Sequence, residues 1–401
     1  MISKGVSKKT AYKKESTWGT AAGASGSKYI RRVTSDFNLS KEAYESNEIR
    51  VDFQTADARH GVRSVEGSIN GELSPTAYSD FMQSIVARDF TAGGSTTGAS
   101  VTIAASGDLF TITRGAGSWL SDGFYVGNIV QLTGAGLDPA NVSNNVLIVS
   151  LTSTVITGKV LSSTPLVAEG PIASVDVDVI GKHTYIPLTG HTDDSYTVED
   201  WYSDISQSEV FTGCKASSIA LQLPSTGLVT ADISFMGKDL AQTDTSQYFS
   251  TPTAAGTDGI FASVQGALVV NGTPVALITS LDFTINRNIE PANVVGSNTA
   301  ADMFVGRITV TGNFSTYFEN ATFRDYFKNE STVSLVVALT TSEDKAADAM
   351  SFVFPKIKVN SATKADAELG IIQEQSFQAL LNDVTSAGLI ESTILIQDTS
   401  L

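Results

Sequence analysis

The chemically reactive side chains of this 401-residue chain are few and far apart. There are three histidines, His60, His183 and His191, and a single cysteine, Cys214. Zinc sites gather three or four histidine, cysteine or carboxylate ligands at short characteristic spacings. None of the three histidines has a partner at such a spacing, and one cysteine cannot build a cluster. We therefore predict no metal site and no cofactor.

The motifs of nucleotide-binding and hydrolytic enzymes are absent from the sequence as well. It contains no G-x-S-x-G elbow, no Walker loop and no Rossmann fingerprint. Asp176 and Asp178 could belong to a calcium loop, but alternation within a strand explains their spacing more simply. No two of the 42 acidic residues stand out as the carboxylate pair of a glycosidase. The sequence predicts a protein that is not an enzyme.

Composition and charge narrow the remaining classes. The 26 basic and 42 acidic residues give a formal charge of −16. Proteins that grip DNA place Lys and Arg on its phosphates, so this charge argues against a DNA-binding groove, although not against DNA as a passing neighbour. A lone cysteine forms no intrachain disulfide, which suits a reducing cytoplasm. We expect neither a secretion signal nor a membrane span, because no apolar run reaches about 18 residues.

The stretch 61–90 predicts a strand followed by a helix. Residues 61–73 alternate between two faces, the period of a strand with one buried and one exposed side. Ser74 suits a helix N-cap, and Pro75 suits the first helical position. Apolar residues then recur at spacings of three and four, so we place a helix at 75–89.

The same unit returns at 306–330 with a constant offset of 245 residues. The strand face, two glycines and the start of the helix (here 320–329) stay in register without a gap. The matched pairs include Gly61 and Gly306, Val65 and Val310, Gly67 and Gly312, and Asp80 and Asp325. This self-similarity indicates a duplicated domain.

The chain as a whole is predicted to be mainly β. We expect two tandem β-sandwich or barrel folds, each with one packed α-helix, and an inserted small domain that is a sandwich of Ig-like type or a barrel. The predicted units are an N-terminal arm (1–27), a discontinuous first fold (28–90 and 181–240), the inserted domain (91–180), a linker (241–258) and a second fold (259–401).

The N-terminal arm leaves two alternatives open. It carries five lysines in a polar stretch, with Tyr12 and Trp18 as its aromatic anchors. It is either a disordered tail or an arm that becomes ordered against a neighbouring acidic subunit, with Trp18 as the buried anchor.

Three stretches resemble the tail tube (major tail) protein of long, non-contractile bacteriophage tails. They are ESTWGT at 15–20, RRVTSDFNLSKEAYESNEIR at 31–50 and RHGVRSVEGSINGELSP at 59–75. The second copy fits the family pattern more loosely. The insert lies outside the resemblance and is similar to the variable decoration domains of such proteins. The resemblance implies a structural virion protein that assembles itself into stacked rings, forming the tube through which DNA leaves the capsid.

Carried onto this sequence, the resemblance implies four lumen strands. They lie at about 33–41 and 62–73 in the first copy, and at about 280–288 and 306–318 in the second. A conduit for DNA should lack groups that hold phosphates, and the polar faces of these strands contain no base. The implied lumen-lining residues are Asp36, Asn38, Glu66, Ser68, Asn70, Glu72, Asp282, Thr284, Asn286, Thr309, Thr311, Asn313 and Ser315.

Two polar excursions, 43–61 and 288–306, match the long loop that reaches the adjacent ring in this family. The implied inter-ring residues are Glu45, Glu48, Arg50, Asp52, Asp57, Arg59, Glu290, Asn293, Asn298 and Asp302. The N-terminal arm would brace neighbouring subunits.

The duplication also bears on stoichiometry. Six tube folds line one ring in this family, so a chain with two folds favours a homotrimer over a hexamer, with three inserts on the outside. The implied partners are the tape measure protein, tail tip and terminator proteins, and double-stranded DNA that passes without specific binding. The implied location is the virion tail, after assembly in the host cytoplasm. The alternative from another class is a β-rich adhesin or glycan-binding module, against which the missing secretion signal counts.

Overall fold

The computed structural model describes residues 2–275, 278–365, 370–383 and 388–401. The strands of the first half are β1 Lys8–Lys14, β2 Lys28–Tyr29, β3 Thr34–Glu45, β4 Ala58–Glu72, β5 Thr91–Ala92, β6 Ser95–Ser106, β7 Leu109–Arg114, β8 Ile129–Thr133, β9 Val146–Leu151, β10 Val155–Val160, β11 Glu169–Val179, β12 Lys182–Tyr185, β13 Tyr196–Tyr202, β14 Gln207–Leu223, β15 Thr230–Gly237 and β16 Asp239–Asp244. Those of the second half are β17 Gly266–Val270, β18 Thr273–Pro274, β19 Ile278–Asn286, β20 Ile289–Ala292, β21 Asp302–Val305, β22 Thr309–Tyr317, β23 Thr332–Thr340, β24 Ala349–Ala365, β25 Ile372–Ala379 and β26 Leu395–Asp398. The helices are α1 Ser79–Val86 and α2 Thr322–Lys328.

Two antiparallel four-stranded sheets of the same order form the frame. The first sheet has the order β3-β4-β15-β14, and the second has the order β19-β22-β25-β24. The pairing irregularities of the two sheets also correspond. A register shift follows Ala216 where β14 pairs with β15, and an equivalent shift follows Val359 where β24 pairs with β25. The chain therefore contains the same mainly β fold twice, as the sequence repeat predicts.

The two sheets are joined edge to edge within the chain. The C-terminal part of β14 pairs with β19, from Ser218 opposite Asn286 to Leu223 opposite Leu281. The joint makes one continuous sheet whose outermost strands are β3 at one side and residues 361–365 of β24 at the other.

One face of this sheet is apolar because apolar side chains occupy alternate positions along each strand. In the first copy Phe37 packs against Phe235, with ring centroids 5.4 Å apart. The two matched glycines have a packing reason: a Cβ on Gly67 would collide with the ring of Phe37, and a Cβ on Gly312 would collide with the ring of Phe377. The glycines thus let large aromatic rings close over the strand.

Helix α1 covers the apolar face of the first copy. Phe81 is fully buried, and its ring lies edge-on to Tyr196 and Phe235 at centroid distances of 5.2 and 5.0 Å. Six residues of α1 are buried, whereas α2 of the second copy buries none. In α2, Phe323 is half-buried, with its ring 5.3 Å from that of Phe314. The two equivalent helices therefore differ in how firmly they are packed.

Both helices are shorter than the predicted ranges 75–89 and 320–329. Helix α1 begins after Thr76, which has a left-handed backbone with φ of 61° and donates its N–H to the carboxylate of Asp398. It ends before Ala87, whose φ is 60°. Left-handed residues interrupt a right-handed helix, so these two positions fix its length.

The N-terminal arm is part of the first fold. Strand β1 pairs along its whole length with β13 of the same chain. Glu15 is buried and accepts hydrogen bonds from the Ser195 and Thr197 hydroxyls and from the Gly213 N–H, at 2.7, 2.9 and 2.8 Å. Trp18 donates its Nε1–H to the Gly213 carbonyl at 3.1 Å. Residues 2–27 therefore do not form the disordered tail of our first alternative.

The insert is a closed six-stranded barrel with the strand order β10-β7-β6-β11-β8-β9, closed by β9 pairing with β10. Of the two predicted alternatives its strands thus form the barrel, and the Ig-like sandwich is wrong. Its core is continuous with Val336 and Val353 of the second copy. Gln397, which is fully buried, accepts the Ile129 N–H at 2.8 Å and donates to the Ile129 carbonyl at 2.9 Å. A domain inserted in the first copy is thereby held against the second.

Parts of the predicted linker and of the two predicted excursions form regular β-structure. Strand β16, which pairs with β14, runs into the predicted linker as far as Asp244. The first excursion is the loop 46–57 between β3 and β4, and the second contains the two-stranded ribbon of β20 and β21. These two segments are called the first loop (46–57) and the second loop (287–308) below.

Candidate functional site

The second face of the continuous sheet is polar and open to solvent. We define this polar face by alternate residues of each strand: the outward-pointing residues within 34–40 of β3 and 64–72 of β4, those of β15, β19, β22 and β25, Ser218, Ala220 and Gln222 of β14, and Ser361, Thr363 and Ala365 of β24. The structure places all thirteen predicted lumen residues on it, exposed or half-buried, while their neighbours in sequence are mostly buried. One row across it consists of Asp36, Ser68, Ser234, Ser218, Asn286 and Thr309.

Short hydrogen bonds fix the polar face in the same way in both copies. The Asp36 carboxylate accepts the Ser68 N–H at 2.9 Å and the Ser68 hydroxyl at 2.6 Å. At the equivalent position, Asp282 accepts from the Asn313 amide at 2.9 Å. These pairs lie across β3–β4 and β19–β22, so each carboxylate is held at the surface rather than free to reach a ligand.

Sequence reasoning missed the polar residues of β15, β14 and β25. These strands also alternate, as in TADISFMG at 230–237 and IQEQSFQA at 372–379, so their period was the available signal. In the described part of the polar face there is no Lys or Arg. Its carboxylates are Asp36, Glu66, Glu72, Asp232, Asp282 and Glu374.

A charged cluster lies where the two copies meet. Lys215 and Arg287 are buried, and both reach the carboxylate of Asp193, at 2.6 and 3.1 Å. Burial lowers the pKa of Arg287, and the nearby carboxylate of Asp193 opposes that change. Arg287 also donates to the Thr192 carbonyl at 2.9 Å. One carboxylate thus ties β14 of the first copy to the end of β19.

The predicted inter-ring residues are all exposed; eight lie on the two loops, and Glu45 and Arg59 lie on the adjoining ends of β3 and β4. Within the first loop, Arg50 pairs with Asp52 at 2.8 Å. The backbone of the second loop reaches the first copy, because the Asn298 carbonyl accepts the Arg63 N–H at 2.8 Å. Trp18, the predicted arm anchor, is half-buried on its own chain, beneath the Lys238 ammonium, which lies 4.6 Å from the centroid of its ring.

Among the residues that the structure describes, no group of three or more His, Cys, Asp or Glu side chains is arranged to hold a metal ion. None of the helices that the structure describes is long and apolar enough to cross a membrane.

A comparison with curated proteins finds no match. The model of the family described as "Phage tail tube protein" matches residues 5–379, nearly the whole chain. The chain therefore belongs to the phage tail tube protein family.

Proposed function

We propose that three copies of this chain close into a ring, that the rings stack into the tail tube, and that DNA crosses the bore from capsid to host. Membership of the family makes the protein a structural component of the phage tail. The observation that carries the finer proposal is the joint between β14 and β19. Each chain already contains one joint between two equivalent sheets. The same joint, repeated between chains, would extend the sheet from one chain to the next.

The open edges of the sheet support a trimer. Strand β3 is the equivalent of β19, and residues 361–365 are the equivalent of 218–222. Exposed strand edges pair readily with further strands, and a closed ring leaves none unpaired. Three chains supply six equivalent sheets, which is the ring that the repeat favours, whereas a hexamer of chains would supply twice as many.

The charge of the polar face suits a conduit. Six carboxylates per chain and no described Lys or Arg give a surface that repels phosphates instead of binding them. This repulsion acts over about 8 Å at physiological salt. Double-stranded DNA would therefore move along the polar face without forming a stable contact.

The two loops supply a means of stacking. Ile49 of the first loop and Val295 of the second stand at equivalent positions, 99% and 106% exposed. Their neighbours Val51 and Val294 are exposed too, at 98% and 49%, and such groups of exposed apolar side chains mark surfaces that a partner covers. We assign them, with the charged inter-ring residues around them, to the next ring. The tape measure, tail tip and terminator proteins, and assembly in the host cytoplasm, belong to the same proposal by analogy with the family.

Electron microscopy of the concentrated protein and native mass spectrometry test this function. We expect rings or tubes with a central bore, and a ring mass of three times 42.2 kDa. A ring of six chains would overturn the trimer, and a protein that stays monomeric at high concentration would overturn the tube. The double variant Ile49→Ser/Val295→Ser should give rings that fail to stack. Its control, Val167→Ser on the insert, removes an aliphatic group that is 43% exposed and lies outside both loops, and it should leave tubes intact.

A further inference from the structure

We propose that the contact between neighbouring chains copies the contact between the two halves of one chain, and that Phe53 of one chain fills an apolar groove on the next. The inference rests on the proposed ring. It assigns a strand register, an ion pair and a loop-binding groove to the contact between one chain and a neighbouring identical chain.

The register follows from the joint inside the chain. There Ala220 lies opposite Thr284. The equivalents of these residues in the repeat are Thr363 and Asn38, because the matching register shifts in β14 and β24 fix the alignment. The same alignment predicts the interchain pairs Ser361 with Ser40, Ala362 with Leu39, Thr363 with Asn38, Lys364 with Phe37, and Ala365 with Asp36.

The ion pair follows from the charged cluster at the same joint. Lys358 is the equivalent of Lys215, and its partner Glu330 lies 3.7 Å away, where Lys215 has Asp193. Lys41 is the equivalent of Arg287. Lys41 is exposed and has no ion pair among the described residues. The alignment brings Lys41 of the next chain to Glu330, which then joins two cations as Asp193 does.

The second loop shows how the first loop would lie. Its residues 298–299 sit beside Arg63 at the start of β4, with Arg63 paired to Asp239 at 2.8 Å. A polar loop thus covers a polar site on the first copy. Between equivalent strand positions, the segment 42–62 of the first copy is one residue longer than the segment 288–307 of the second, so the equivalents of 298–299 fall at or next to Phe53.

The corresponding site on the second copy is uncovered and mainly apolar, although His191, Asp193, Arg287 and Arg307 also line it. Ile308 stands where Arg63 stands, and Leu381 stands where Asp239 stands. Both line a groove of about 680 Å³, together with Ile186, Leu188, Phe304 and Val305. Three of these side chains, Leu188, Phe304 and Leu381, are 56%, 66% and 47% exposed.

The two uncovered apolar surfaces match each other. Phe53 is 99% exposed at the tip of the first loop, and the groove is the site that its equivalents already cover in the first copy. The change from a polar to an apolar pair in the groove parallels the change from Asn298 to Phe53 in the loop. Burying a phenylalanine removes a large apolar area from water, which favours this docking.

Cysteine cross-linking in assembled rings tests the register. Paired strands bring opposite Cα atoms to about 4.5–5.5 Å, within reach of a disulfide. Asn38→Cys/Thr363→Cys should therefore give a covalent trimer on oxidation. The control Thr34→Cys/Thr363→Cys places the thiols about 13 Å apart along the strand and should give none. The native Cys214 is fully buried and does not interfere.

Substitutions test the groove and the ion pair. Phe53→Ser should raise the concentration needed for ring closure by about tenfold or more, whereas Ile49→Ser should leave ring closure unchanged. Lys41→Glu and Glu330→Lys should each weaken closure, and the double variant should restore it. Rings that form without the cross-link, or whose closure is unaffected by Phe53→Ser, would overturn this inference but not the proposed tail tube. A parent protein that forms no rings would overturn the proposed function itself.

Discussion

His183 should make the junction between the insert and the two repeated folds less stable in acid. His183 is 4% exposed on β12, with its ring 6.1 Å from the rings of both Tyr125 and Tyr185. Strand β12 pairs with β26 of the second copy on one edge and with β5 on the other. Burial, aided by the positive charge of Arg88, lowers the pKa of His183 from 6.5 to about 4.

The sign of the effect follows from proton binding. Between pH 6.5 and about 4, the unfolded chain binds a proton at His183 and the native chain does not. A depressed histidine pKa therefore contributes stability that is lost as pH falls through this window. From about pH 7 to about pH 5, the linkage amounts to about 2 kcal/mol of unfolding free energy.

The perturbation that isolates this term is His183→Phe, which keeps an aromatic ring between the two tyrosines. Hydrogen exchange of the β12 amides, followed by mass spectrometry, gives the free energy of opening at each pH. The native protein should lose about 2 kcal/mol more than the variant on acidification. Burial raises the pKa values of Asp200 and Asp398, whose effect on stability has the opposite sign but is common to both proteins. Parallel pH curves for the two proteins would refute the reasoning.

Two further predictions concern packing. Phe81→Ala should destabilise the first copy by about 3–5 kcal/mol, because the ring is fully buried. The equivalent substitution on the exposed helix, Tyr326→Ala, should cost only about 1 kcal/mol. Equal exchange rates in the two helices after substitution would contradict this difference. Gln397→Leu leaves the Ile129 N–H without its side-chain partner, at about 1–3 kcal/mol, whereas the Ile129 carbonyl keeps the Ile180 N–H at 3.1 Å. Exchange should therefore rise at the insert boundary while tubes still form, and an unchanged boundary would show that Gln397 does not hold the insert.

The sequence alone determined the features that depend on local period. Alternation placed the four predicted lumen strands and their polar residues, because side chains on a strand point to opposite faces in turn. The constant offset between Val65 and Val310 gave the duplication. The lack of catalytic constellations and the resemblance near the N-terminus pointed to the family that the chain proved to match.

Only the tertiary structure decided which edges meet. The pairing of β14 with β19 joins residues far apart in sequence, and no local pattern encodes such a partner. The same holds for the arm on β13, for the closure of the insert and for its attachment through Gln397. The helix α1 is shorter than its period predicts because Thr76 is held by a carboxylate from the other end of the chain. Long-range pairing, which depends on the whole fold, fixed what local periodicity left open.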